Sequence, residues 1–385
     1  MMDTFITTVP FFSPDHRTLA DRLAQLVERE VEVQAADDER DPEQALRDYV
    51  LLLAENDLLR YAVPTPGQLF DLRAFCLIRE SLSYSSSIAD LAFVMQGLGT
   101  YAISLSATEH VRDFWLARAR TGKAIAAFAL TEPDAGSDVA GLKTTARKED
   151  DTYVIDGRKR FISNAGVADF YTVFARTGTR EDGRAEISAF IVSARMPGFS
   201  VSEKTELIAP HPIGELEMKN CTVPAEDMIG NQGDGLRLSL QTLDMFRASV
   251  GAAACGMARR ALDESLLHAK SRAQFGKPLA EHQLIQEKLA DMATELDAAR
   301  LLVYRAAQLK DSGAAASTRE ASEAKLFATE AAGRIIDQAV QIHGGAGLVR
   351  GSVVERLYRD ARSLRIYEGT SEIQKLIIAN QLLKE

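Results

Sequence analysis

The apolar residues of this 385-residue chain change period twice, and that change limits the folds open to it. In the first third they recur at helical spacing: Leu19, Leu23, Leu26 and Val27 after a Ser13-Pro14 start, then Leu46, Val50 and Leu53 after Pro42. Pro64-Thr65-Pro66-Gly67 interrupts this pattern, and a further helical run begins near Leu69 and continues, with breaks, to about Arg120. Between 124 and 224 the period shortens. Residues 124–130 form an apolar run of strand length, and 171–175, 187–192 and 216–218 add strands. Residues 153–155, the dipeptide Asp156-Gly157 and residues 158–161 read as a hairpin. From Gly235 the helical period returns in long segments, about 236–271, 282–312 and 317–342. The expectation is an α+β chain with an N-terminal helical domain over 1–123, a middle β domain over 124–230 and a C-terminal helical domain over 231–385.

A formal net charge of −10 argues against nucleic acid as the main partner. Cys76, Cys221 and Cys255 lie far apart with no CxxC pair, which suggests neither a zinc site nor a disulfide framework, and the six histidines show no metal-binding spacing. No metal is expected. Residues 1–12 lack the features of a secretory or transit signal, and no uninterrupted apolar run has the length to span a bilayer. A soluble cytoplasmic protein without a membrane partner is expected. Gly97-Leu98-Gly99-Thr100-Tyr101-Ala102 fits a dinucleotide fingerprint formally, but a helical pattern precedes it where a strand is required, so it reads as a helix break.

Two runs carry chemistry. In Arg365-Ile-Tyr-Glu-Gly-Thr-Ser-Glu-Ile-Gln374, Glu368 sits on a tight turn with Gly369. Ser371 and Gln374 have the spacing of a capping box, and Ile373, Leu376 and Ile377 offer an apolar helix face. In Leu130-Thr-Glu-Pro-Asp-Ala-Gly-Ser-Asp138, small residues, hydroxyls and backbone donors could approach a ring and phosphates closely. Together these runs resemble the two signatures of the acyl-CoA dehydrogenase family of FAD enzymes, and the similarity covers nearly the whole chain, most weakly before about Asp71. The resemblance implies an N-terminal helical domain, a β-barrel-like middle domain and a C-terminal four-helix bundle.

It also implies residue roles. Glu368 would be the base that takes the α-proton of an acyl-CoA. Phe246 fills the place where a minority of relatives carry the base instead, and it cannot accept a proton. Phe128, Leu130 and Thr131 would line the flavin ring, and Ser137 would meet the FAD pyrophosphate or the CoA. Arg160-Phe-Ile-Ser-Asn164 resembles the family's Trp-Ile-Thr-Asn run, with Phe161 covering one flavin face and Ser163 bonding the ring. Arg272 and Phe275 in Arg-Ala-Gln-Phe-Gly would reach FAD bound mainly by a neighbouring subunit, with Gln274 also a cofactor contact, and Gln341 and Gly345 in Gln-Ile-His-Gly-Gly match the glycine-rich stretch near the adenosine end. Thr370 and Glu372 complete the cofactor set. Asp244, Arg247, Tyr367 and Gly369, with Ser137, would contact substrate.

The implied activity is dehydrogenation of an acyl-CoA to a 2-enoyl-CoA, with electrons passing to electron-transfer flavoprotein and a homo-oligomer, a tetramer in most relatives, as the assembled form. The rivals are an oxygen-using flavoenzyme of the same fold, such as an acyl-CoA oxidase, and a non-catalytic CoA-binding relative. Ala209-Pro-His-Pro-Ile-Gly214 is the clearest departure. It is shorter than the family's segment and stiffened by proline, it resembles forms acting on alicyclic carboxylic acid CoA esters, and it makes His211 a rigid-loop residue rather than a catalyst.

Overall fold

The computed structural model describes residues 4–313 and 317–384. The chain divides into two compact units: Met1–Ala36, Asp71–Asp90 and Phe246–Glu385 form the first, and Asp37–Phe70 with Leu91–Met245 form the second.

In the first unit the helices are Pro14–Leu26, Leu72–Ser85, most of Gly235–Ser271, Gln283–Asp311, Thr318–His343, Val353–Arg362 and Ser371–Leu382. Ser13 caps the first of these, accepting from the His16 N–H while the His16 ring accepts from the Ser13 N–H. The Thr318–His343 helix packs against Gln283–Asp311, Val353–Arg362 and Ser371–Leu382. Alanine is the commonest residue on its buried face, with Ala321, Ala324, Ala328, Ala331 and Ala332 all inside, so neighbouring helices can approach closely.

The second unit is built on an eight-stranded sheet. Its strands are β1 (Ala126–Ala129), β2 (Thr145–Glu149), β3 (Thr152–Ser163), β4 (Phe170–Thr179), β5 (Ala185–Ser193), β6 (Phe199–Lys204), β7 (Ile213–Pro224) and β8 (Met228–Ile229). The order is β6-β7-β3-β2-β4-β5-β8, with β1 running parallel to β4. The helices Pro42–Glu55 and Glu109–Arg120 and most of Ser87–Ser106 belong here too. Leu46, Tyr49, Val50 and Leu53 of Pro42–Glu55 are buried, as helical spacing requires.

Two sequence expectations fail in this unit. The hairpin expected at Asp156-Gly157 does not form, because β3 runs straight through as one strand, and the register shift opposite the dipeptide is taken up by an extra residue in β7 at Lys219-Asn220. The Gly97-Leu98-Gly99 break is also absent, since helix is unbroken from Ser87 to Ser106. Gly99 is there for close approach: a Cβ on it would lie 2.6 Å from the Ala126 Cβ and 2.9 Å from the Ala127 N, so the helix rests directly on β1. Gln96 completes the join, donating to the carbonyls of Ala119 and Ala124 and accepting from the Ala126 N–H. By length and composition the same helix could cross a membrane, although Asp90 and Gln96 interrupt its apolar run, but 83% of its apolar window is buried inside the protein. It is a core helix.

Candidate active site

In the first unit the site is built around one carboxylate. Glu368 and Gly369 both lie in the left-handed region, at φ 52 and φ 93. Such a conformation is unfavourable for a residue with a Cβ. The turn is held by its backbone carbonyls. Lys325 Nζ donates to the Gly369 O at 2.8 Å, and Gln374 Nε2 donates to the same oxygen at 3.0 Å and to the Glu368 O at 3.3 Å. The expected capping box does not form. Thr370 is the N-cap, accepting from the Ile373 N–H, while the Ser371 hydroxyl donates to Glu330 at 2.6 Å and Gln374 turns back to the turn. The Ser371–Leu382 helix accordingly buries Ser371 and Gln374 and leaves Leu376 59% exposed, so Ile373, Leu376 and Ile377 are not its buried face.

Glu368 Oε2 is buried and makes no hydrogen bond among the described residues. Burial pushes this carboxyl above its ordinary range; Arg79, Lys325 and Arg247 pull it down, and Asp90 adds to the rise. Arg79 is locked to Asp90 by two bonds of 2.7 Å and to the Ser249 hydroxyl at 2.9 Å, all deep in the unit. That pairing leaves a cation of fixed position near the Glu368 carboxylate. Tyr367 is pushed up by burial, so it stays a neutral phenol. Phe246 is fully buried against Phe75, with ring centroids 5.1 Å apart, and Arg247 is buried beside it in sequence. A carboxylate that is desolvated, with Oε2 unbonded, and fixed in direction is poised to exchange a proton.

In the second unit the Leu130–Asp138 run follows β1. Glu132 organises it from inside. Its carboxylate accepts from the backbone N–H groups of Lys143 and Thr144 and from Lys159 Nζ at 2.8 Å, with side chains 4% and 0% exposed. Burial alone would raise the Glu132 carboxyl, but Lys159 and these donors hold it below its ordinary value. Lys159 also donates to the Leu130 carbonyl at 3.1 Å, and the Arg160 N–H donates to the Thr131 carbonyl at 2.9 Å. Leu130 and Thr131 are thereby tied to β3, which also carries Phe161 and Ser163. Phe128 lies half-buried in β1, its ring edge against Phe174 at 5.1 Å.

Two features fit a flat, phosphate-bearing group. The Phe161 ring is 50% exposed on a residue at φ 54, where β3 carries an extra residue against β7, and the Arg160 guanidinium lies 5.0 Å from the ring centroid, leaving an aromatic face open to a flat partner. Beyond the Glu132 anchor, nothing lies within 4 Å of a Cβ built on Gly136, and Ser137 is exposed. Ser163 Oγ is 2.8 Å from His211 Nε2, a pairing the sequence reading missed. Burial pushes His211 down to about 4, so the ring is neutral.

The remaining residues are surface groups of their own unit. Arg272, Gln274 and Phe275 occupy a two-residue hairpin between β9 (Ala273–Gln274) and β10 (Lys277–Pro278), where Phe275 at φ 53 and Gly276 at φ 80 make the turn and Phe275 is 94% exposed. Gln341, Gly345 and Glu372 are exposed and Thr370 is half-buried. Asp244, in the second unit, is half-buried and contributes to raising Tyr101, after burial itself. Among the described residues no group of acidic, histidine or cysteine side chains could hold a metal ion.

The sequence matches the N-terminal, middle and C-terminal domains of acyl-CoA dehydrogenase over residues 13–123, 127–221 and 233–383. A 3-(aryl)acrylate reductase of Clostridium sporogenes is 38% identical over 97% of this chain and 100% of its own. A cyclohexane-1-carbonyl-CoA dehydrogenase of Geobacter metallireducens is 38% identical over 80% and 81%. Among solved structures, an acyl-CoA dehydrogenase complexed with FAD from Bacillus anthracis superposes with a TM-score of 0.91 at 32% identity, covering 99% of this chain and 68% of that one. With all three domains matched in order, the chain belongs to the FAD-dependent acyl-CoA dehydrogenase family of oxidoreductases.

Proposed function

We propose that this enzyme dehydrogenates an acyl-CoA thioester to its 2-enoyl-CoA, with Glu368 removing the α-proton. The observation that carries the reading is the buried Glu368 carboxylate, unbonded at Oε2 and held on a turn whose two carbonyls are clamped. Its raised pKa favours proton transfer near neutral pH. Bound FAD supplies the two-electron acceptor that no side chain provides. Phe128, Leu130, Thr131, Phe161 and Ser163 would hold the ring, and Ser137 the pyrophosphate or the CoA. Asp244, Arg247, Tyr367 and Gly369 would contact the thioester. The exposed Arg272 and Phe275, with Gln274 between them, would serve a flavin bound by a second copy, which requires a homo-oligomer; Gln341, Gly345, Thr370 and Glu372 would complete the cofactor contacts, and a tetramer is the assembly we propose.

Anaerobic titration with straight, branched and cyclic acyl-CoAs tests this reading. The flavin absorbance bleaches with the true substrate, and a yellow protein bleached by none overturns it. The name of the Clostridium relative favours a second reading of the same geometry, in which protonated Glu368 gives its proton to Cα as an enoyl-CoA is reduced. Reoxidation of the reduced protein by enoyl-CoA but not by acceptors identifies that direction. We propose electron-transfer flavoprotein as the acceptor; faster turnover with oxygen than with that protein would instead mark an oxidase.

A further inference from the structure

We propose that Lys325 is a positioning residue for Glu368, its ammonium fixing the Gly369 carbonyl while supplying positive charge to the neighbouring carboxylate. The inference rests on Glu368 being the base. Lys325 is completely buried, in the middle of the Thr318–His343 helix, on the same face as Ala321, Ala324 and Ala328. An ammonium in such a place is costly unless it is paired and bonded. Its one hydrogen bond among the described residues goes to the Gly369 O at 2.8 Å, the peptide that follows the base. Burial pushes Lys325 down to about 8, and Glu368 is the largest influence holding it up, ahead of Glu330 and Glu372, while Arg247 opposes.

The turn therefore has two clamps of different kinds. Gln374, neutral, grips the Glu368 and Gly369 carbonyls. Lys325 grips the Gly369 carbonyl and carries charge. The other groups facing Glu368 are Arg79 from the Leu72–Ser85 helix, Asp90 from the start of Ser87–Ser106, Arg247 from Gly235–Ser271 and Tyr367 beside it in the turn. Arg79 is committed to Asp90 and also bonds the Tyr367 side chain, whereas Lys325 bonds the backbone carbonyl that follows the carboxylate.

Removing each clamp in the holoenzyme separates the two roles. In Lys325→Met the acid limb of the kcat/KM profile moves to higher pH, because Glu368 loses a charge that favoured its ionised form. The kcat also falls, by roughly tenfold to a hundredfold, as the turn loosens. In Gln374→Met the kcat falls with the acid limb in its wild-type place. Should Lys325→Met not fold, Lys325→Gln keeps a donor without the charge, and the same upward shift is expected. Lys325→Arg restores the limb. An acid limb unmoved in the neutral variants overturns the proposal, as does a shift in Gln374→Met equal to theirs. Glu368→Gln is measured alongside: near wild-type turnover there would fail the base assignment, whereas an inactive Glu368→Gln with an unmoved Lys325 limb fails only this inference.

Discussion

Replacing Lys159 with methionine leaves the Glu132 carboxylate without its cation at a site where 4% of the side chain is exposed. Breaking a buried pair by removing one partner generally costs about 3–5 kcal/mol. Glu132 keeps the N–H groups of Lys143 and Thr144, so the lower end, about 3 kcal/mol, is expected. At constant FAD concentration this lowers the thermal midpoint of the holoenzyme by roughly 4 °C. Glu132→Gln combined with Lys159→Met removes both charges and recovers most of the loss, since no unpaired ion remains. The single variant also frees the Leu130 carbonyl, and FAD is expected to be lost from it more readily on dialysis. A loss below about 1 kcal/mol, or a double variant no more stable than the single, would refute the reasoning that this pair is one coupled unit.

His211 is neutral in the fold to about pH 4, whereas in the unfolded chain it takes up a proton near pH 6.5. Stability contributed by this group is thus complete above pH 6.5 and declines as pH falls toward 4, by about 3 kcal/mol in all. His211→Gln flattens that part of the profile relative to wild type, and parallel profiles would contradict the assignment. Gly99→Val places carbon atoms where the Ala126 Cβ and Ala127 N already sit, and it should cost about 2–3 kcal/mol in urea unfolding. Cys76 and Cys255 are fully enclosed with thiols pushed well up by burial, and Cys221 is pushed up to about 11. A thiol reagent should label none of them at neutral pH until the protein unfolds.

The period of the apolar residues was enough to read the long helices and the β segment between them, because each buries one face of regular spacing. It misled where a local signal competed with packing. Asp156-Gly157 is turn-like in isolation, yet β3 continues through it because β7 pairs with β3 on both sides of the register shift. Gly97 and Gly99 look like helix breakers, yet the helix runs through both, and Gly99 lets it touch β1. Around Glu368, the runs named the carboxylate and its glycine, while the cation and amide that hold them come from residues far away or on the other side of the cap. One signal was available. Lys325 and Arg79 both fall on the buried face of an amphipathic helix, Lys325 among alanines and Arg79 with Phe75 and Leu82, and a cation there is a sign of a partner. The Ser163–His211 pair had no such sign, because it depends on how the Pro210-His211-Pro212 loop meets the end of β3.

The most direct test of the account is anaerobic rapid mixing of wild-type and Glu368→Gln holoenzymes with an acyl-CoA that bleaches the wild type. The account predicts that the variant still binds FAD and the thioester, seen as a perturbed flavin spectrum, but that the rate of bleaching falls by about a thousandfold or more. Bleaching by Glu368→Gln at a rate near that of the wild type would contradict it.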